Sequence, residues 1–174
     1  EWVNEHELLA VVAKDGRVSP VLLNMMDEMW SAPLTEMSAM FLTRTAHGIY
    51  WVASDFNCPE FIQAYRDGTV ETVIPPSFKN TDLVVENHWY TSFDDRRIQG
   101  WLMRNTEHPK APLIVMCHGG PTAVVRNDWD EPIVQLLVKA GYHVFQPNFR
   151  GSTTFGTAFT NLLIGDVGGG ELQD

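Results

Sequence analysis

An antiparallel β-meander followed by an α/β stretch is the fold class this sequence predicts, and three observations predict it. Turn pairs recur between short apolar runs up to about residue 76: Asp15-Gly16, His47-Gly48 and Asp67-Gly68. Pro75-Pro76 then interrupts the pattern. Beyond it, an apolar run at 113–117, an amphipathic helical segment and another apolar run succeed one another, the order of a βαβ unit.

In the first stretch, residues 8–13 and 18–23 flank Asp15-Gly16 as strands, residues 40–44 and 49–53 flank His47-Gly48, and residues 61–66 and 69–74 flank Asp67-Gly68. Hairpins at this spacing suit a meander of the kind found in propeller blades. They share too little sequence to count as a repeat. Residues 77–81 read as a linker.

The second stretch starts at Asp82. Residues 84–92 are rich in β-branched and aromatic side chains, Asp94-Asp95-Arg96 is a turn, and residues 98–104 return as a strand. Residues 105–112 hold two prolines and form a loop. The apolar run 113–117 is of the kind buried on both faces of a parallel sheet. After a loop at 119–128, Asp130 caps a helix whose first turn takes Glu131 and Pro132. Ile133, Val134, Leu136, Leu137 and Ala140 give it one apolar face, Lys139 complements the C-terminal dipole, and Gly141 supplies a left-handed stop. Residues 143–146 form the next strand, ended by Pro147-Asn148.

Composition excludes several function classes. With 44% hydrophobic and 20% charged residues, the chain of 174 is not intrinsically disordered. A net charge of -10 repels phosphate, so neither nucleic acid nor an anionic membrane is an expected partner. No run reaches the roughly 20 apolar residues of a membrane helix. Cys58 and Cys117 are too few for a disulfide framework, which fits a reducing, cytoplasmic setting. The six histidines, among them His108, lack ligand spacing, so no metal or other cofactor is expected. His88 and His143 read as half-buried packing groups, and Trp89, Tyr90 and Trp101 as hairpin packing. The chain opens on Glu1-Trp2-Val3 with no targeting segment and closes on Gly168 to Asp174, so both ends read as cut.

The motif with chemical content is His118-Gly119-Gly120-Pro121, directly after the apolar run. Adjacent glycines at the end of a strand leave a crowded spot free of side chains, so bare N–H groups can face a developing oxyanion. The competing structural role is a tight turn. A second cluster, Pro147 to Gly156, follows the next strand, near the crevice where strand ends converge in α/β sheets. Its Arg150 is a candidate for binding a substrate carboxylate; the alternative is an ion pair holding the loop, with Asp166 the nearest candidate partner. A Cys117–His118 pair is a poor nucleophile–base couple, because neighbours on a strand point to opposite faces.

Further motifs occur in a fixed order: Ile98-Gln99-Gly100-Trp101-Leu102, Pro112-Leu113-Ile114-Val115, His118-Gly119-Gly120-Pro121, Gly141-Tyr142-His143-Val144, Pro147-Asn148-Phe149-Arg150-Gly151-Ser152, Phe155-Gly156 and Gly165-Asp166-Val167-Gly168-Gly169. Over residues 82–174 this strongly resembles the prolyl oligopeptidase family of serine peptidases, above all its acylaminoacyl-peptidase and dipeptidyl-peptidase-like branch. The resemblance implies the last blades of a β-propeller over residues 1–76 and the N-terminal part of an α/β-hydrolase domain over 82–174. It also implies cleavage near the N-terminus of short peptides through an acyl-enzyme. Where relatives have an oxyanion-hole Tyr, this chain has His118, as in the branch that uses backbone N–H groups. Asp94-Asp95 stands where the family often has Asp-Gly, and Val167 where it often has Trp.

None of the seven serines lies in Gly-x-Ser-x-Gly, and Ser152 reads as opening a loop rather than a nucleophile elbow. By family order the nucleophile, the acid and the base His come after Gly168, so the chain alone is expected to be inactive. An esterase or lipase on the same fold is one alternative, and a non-catalytic propeller scaffold is another. Homo-oligomerisation stays open.

Overall fold

The structure is a computed structural model that describes residues 1–80, 83–105 (the backbone alone at 105), 107, 109–120, 122–129 and 132–174. The expected roles of Asp82, His108, Pro121, Asp130 and Glu131, and of residue 81 in the linker, lie outside the described residues. The chain divides into two units. One comprises Glu1–Ala13, Arg17–Asn80 and Asn127–Trp129; the other comprises Lys14–Gly16, Thr81–Arg126 and Asp130–Asp174.

The first unit holds two antiparallel sheets. β1 (Glu7–Lys14), β2 (Arg17–Asn24) and the two-residue β3 (Met29–Trp30) form one; β4 (Ser38–Thr45), β5 (Gly48–Asp55), β6 (Cys58–Arg66) and β7 (Thr69–Ile74) form the other, in sequence order. Local turn chemistry sets the hairpins. Asp15 and Gly16 have φ of 51° and 73°, and Asp67 and Gly68 have 47° and 82°, so both central residues are left-handed. That geometry matches the twist of the flanking strands. At His47-Gly48 the turn sits one residue earlier than the pair implies. The Thr45 hydroxyl accepts from His47 N at 3.0 Å, and Gly48 already opens β5. The core gathers Leu9, Ala39, Ile49, Trp51, Ala53, Cys58 and Phe61. The Trp51 indole N–H is satisfied inside it by Gln63 at 3.2 Å.

The second unit is built on a mixed sheet with strand order β10-β11-β9-β8. β8 (Leu83–Thr91) and β9 (Arg97–Asn105) form the expected hairpin, with Asp95 at φ 62° in its turn. β11 (His143–Asn148) runs antiparallel to β9 and parallel to β10 (Leu113–Val115). β10, α1 (Pro132–Lys139) and β11 thus form the predicted βαβ unit. Gly141, at φ 92°, ends α1 as expected: its N–H donates to Val138 O at 3.0 Å and Tyr142 N donates to Leu137 O at 3.1 Å.

Three details differ from the sequence expectation. β10 is shorter than 113–117 and is not buried on both faces: among the described residues it pairs on one side only, and Leu113 and Val115 are 55% and 56% exposed. The buried side of α1 is the narrow strip Val134–Val138, while Ile133, Leu136 and Ala140 face outward. β11 runs on through Pro147 and Asn148, with Pro147 opposite Gly100. His143 N and Phe145 O bond toward the β10 side, so the missing N–H of Pro147 also lies on that side, beyond the end of β10, and costs no ladder bond.

Candidate active-site loops

Two loops leave the C-terminal ends of the parallel pair. The first begins where Met116 N donates the last ladder bond to Phe145 O at 2.9 Å. Gly119 and Gly120 are exposed, and among the described residues neither N–H donates a hydrogen bond. Gly120 has φ 112°, in the left-handed region that favours glycine, and a Cβ there would stand 3.0 Å from that of Ala123. Gly119 is different. A Cβ added to it meets nothing within 4 Å among the described residues, so the crowding expected at the diglycine is found at Gly120 and not at Gly119.

His118 is fixed from two sides. Its ring stacks on Phe149 with centroids 4.4 Å apart and planes 16° apart. Its Nε2 lies 2.9 Å from Ser152 Oγ, and its Nδ1 lies 3.0 Å from Gly119 O. Ser152, expected to be a plain loop residue, is fully buried, and its hydroxyl donates to Phe149 O at 2.6 Å. Nothing in the local sequence marks this link, because the two residues are 34 positions apart.

The second loop is closed around Arg150, which is 6% exposed. One edge of the guanidinium meets Asp174, with Nε to Oδ2 at 2.9 Å and Nη2 to Oδ1 at 2.6 Å. The other meets Asp94, with Nη1 to Oδ2 and Nη2 to Oδ1 both at 3.0 Å. The Arg150 backbone N–H also donates to Asp174, at 2.7 Å, and Phe93 lies 4.8 Å below the cation. Both bidentate edges are therefore taken by the protein's own carboxylates, and a substrate carboxylate has no such edge left to bind. The ion-pair alternative describes the loop, with a different partner from the expected Asp166, whose carboxylate accepts instead from Gly170 N at 3.0 Å.

Charge and burial act on this cluster together. Burial raises the Asp174 carboxyl, but hydrogen bonds from Arg150 and Ser92 bring it below its ordinary value. Arg150, with Arg96 beside it, likewise holds Asp94 low, and the two carboxylates raise Arg150 further. Tyr90, whose hydroxyl donates to Asp174 O at 2.6 Å, is pushed up to about 12 by burial and by the charge of Asp174.

A cavity of about 550 Å³ lies on the same sheet, lined by Leu102, Leu113, Val115, Cys117 and Phe145 among others. Cys117 is exposed there rather than buried in a strand, while His118 is not in the lining. His143 is buried, whereas His88 is exposed and meets Phe145 edge-on, so the half-buried reading fits neither. Among the described residues, no helix is long and apolar enough to cross a membrane.

No protein-family model matches the chain. Curated relatives do. A Bacillus subtilis protein named uncharacterized peptidase YuxL is 33% identical over 99 residues, which are 55% of this chain and 15% of the relative. Dipeptidyl-peptidase 5 of Porphyromonas gingivalis is 29% identical over 98 residues, 54% of this chain and 14% of the relative. The acylamino-acid-releasing enzyme of Mus musculus is 33% identical over 89 residues, 51% and 12%. Over about half its length the chain is similar to peptidases of the prolyl oligopeptidase family. It spans no more than 15% of the length of these relatives. Solved structures in this family share its fold. An acylaminoacyl peptidase bound to Z-Gly-Gly-Phe-chloromethyl ketone superposes with a TM-score of 0.81 at 20% identity, over 99% of this chain and 28% of that one. A prolyl endopeptidase gives 0.74 at 19% identity, over 92% and 25%.

Proposed function

We propose that the chain supplies the oxyanion-hole loop of a serine peptidase of the prolyl oligopeptidase type. The observation that carries this is the pair of exposed N–H groups of Gly119 and Gly120 after β10, which donate to nothing among the described residues, in a chain whose relatives are named peptidases. Fixed donors near 3 Å stabilise the charge that develops on a carbonyl oxygen during acyl transfer. His118 holds the loop, and Pro121 follows it in the motif. In this reading residues 1–76 are the last blades of a β-propeller, 77–81 a linker and 82–174 the start of an α/β-hydrolase domain. The nucleophile, acid and base belong to polypeptide outside this sequence. The substrate class is short peptides cleaved near their N-terminus, in the cytoplasm.

The test uses the natural polypeptide that carries this chain. A fluorophosphonate is expected to label one serine outside residues 1–174, and the polypeptide is expected to hydrolyse an aminoacyl- or dipeptidyl-nitroanilide. The 174-residue chain by itself is expected to do neither. Covalent labelling at Ser152 or any other serine of the chain, or an unlabelled natural polypeptide, would overturn the proposal.

A further inference from the structure

We infer that Ser152 is a positioning residue for the Gly119–Gly120 peptide, acting through the His118 ring; its catalytic consequence rests on the oxyanion-hole reading above. A serine hydroxyl has one proton. Here it is given to Phe149 O, 2.6 Å away, so Oγ meets His118 Nε2 with a lone pair and Nε2 must be the donor at 2.9 Å. Ser152 is itself held: it is fully buried, its N–H donates to Phe149 O at 3.0 Å, and its carbonyl accepts from Thr160 Oγ1 at 3.1 Å. The adjoining Arg150 is locked to Asp94 and Asp174. The hydroxyl is therefore a fixed point, and with the Phe149 stack it sets both the plane and the rotation of the imidazole.

The other ring nitrogen carries that orientation to the loop. Nδ1 faces Gly119 O at 3.0 Å; a carbonyl oxygen only accepts and Nε2 already carries a proton, so this contact is a hydrogen bond in the imidazolium, which has a proton on both nitrogens. Gly119 C=O and Gly120 N–H are opposite ends of one planar peptide unit. Holding the oxygen against the ring aims the Gly120 N–H the other way. Glycines on both sides give this peptide no side-chain barrier to turning over, so its direction has to come from a neighbour, and the neighbour shown is His118. Without the Ser152 hydroxyl the ring loses its anchor, and the peptide samples both directions.

Two readouts test this. In ¹⁵N-labelled chain, Ser152→Ala is expected to move the amide signals of Gly119 and Gly120 and the His118 ring nitrogens. Ser152→Thr, which keeps the hydroxyl, should leave them closer to wild type than the equally sized Ser152→Val. Unmoved signals in Ser152→Ala, or equal shifts in Thr and Val, would overturn the inference. In the natural polypeptide, Ser152→Ala is expected to lower kcat about 10- to 100-fold with KM nearly unchanged, less than the loss of a whole oxyanion donor. His118→Phe keeps the stack and removes both nitrogens, so it should cost about as much, and the double variant should cost no more than either single one. An additive double variant, or an unchanged kcat in an active polypeptide, would refute it. Amide shifts as expected in a polypeptide that no fluorophosphonate labels would uphold the Ser152–His118 link and overturn the hydrolase reading alone.

Discussion

The two loops at the ends of β10 and β11 leave the same sheet and are built in opposite ways. The first presents bare backbone: two exposed glycines whose N–H groups are not engaged among the described residues. The second buries its side chains and uses its donors internally, with Arg150 held between two carboxylates and Ser152 fully enclosed. Unengaged donors are useful only if something holds them in place. Here the saturated loop holds the unsaturated one, through the Phe149 stack and the Ser152–His118 hydrogen bond.

This contrast can be broken most forcefully at Arg150. The Asp174 carboxylate is fully buried, so Arg150→Met leaves a charge there without its partner. Chemical denaturation should show a loss of about 3–5 kcal/mol. Acid should act on the same cluster. Asp174 and Asp94 titrate below their ordinary values, so their contribution is complete above the usual carboxylate range, near pH 4, and is lost as pH falls through their lower folded values. The melting temperature should therefore drop steeply below about pH 4, and Arg150→Met should flatten that limb. A flat wild-type limb would show that the ion pairs add nothing to stability.

Glycine substitutions sharpen the comparison at smaller scale. Gly151 has φ 95°, and a Cβ there would run into Leu163. Gly151→Ala should destabilise by about 1–3 kcal/mol in the same denaturation experiment. Gly119→Ala, with nothing near the new methyl, should stay within about 0.5 kcal/mol of wild type. Equal costs at the two positions would erase the distinction between the loops.

What the sequence made legible follows from how far apart the deciding residues are. The hairpins at Asp15-Gly16 and Asp67-Gly68 were readable because two adjacent residues set each turn. The parallel pair β10–β11 was readable from the order of strand, helix and strand. Arg150 was recognisable as a cation in need of carboxylates, but its partners lie 56 positions before it and 24 after it. Local spacing pointed to Asp166, whose carboxylate is occupied by Gly170 N. Ser152 looked like a loop residue because its role depends on His118, a position brought to it only by the sheet. The apolar character of residues 113–117 was plain, yet burial depends on which strands lie alongside, and that is not a property of the run itself.

β10 carries one more consequence. Among the described residues it is an outermost strand, hydrogen-bonded on a single side, with greasy side chains more than half in water. Such a margin is a template on which a further strand can grow. Concentrated solutions of this polypeptide should therefore thicken into β-rich assemblies, and a lysine in place of Val115 should keep them clear.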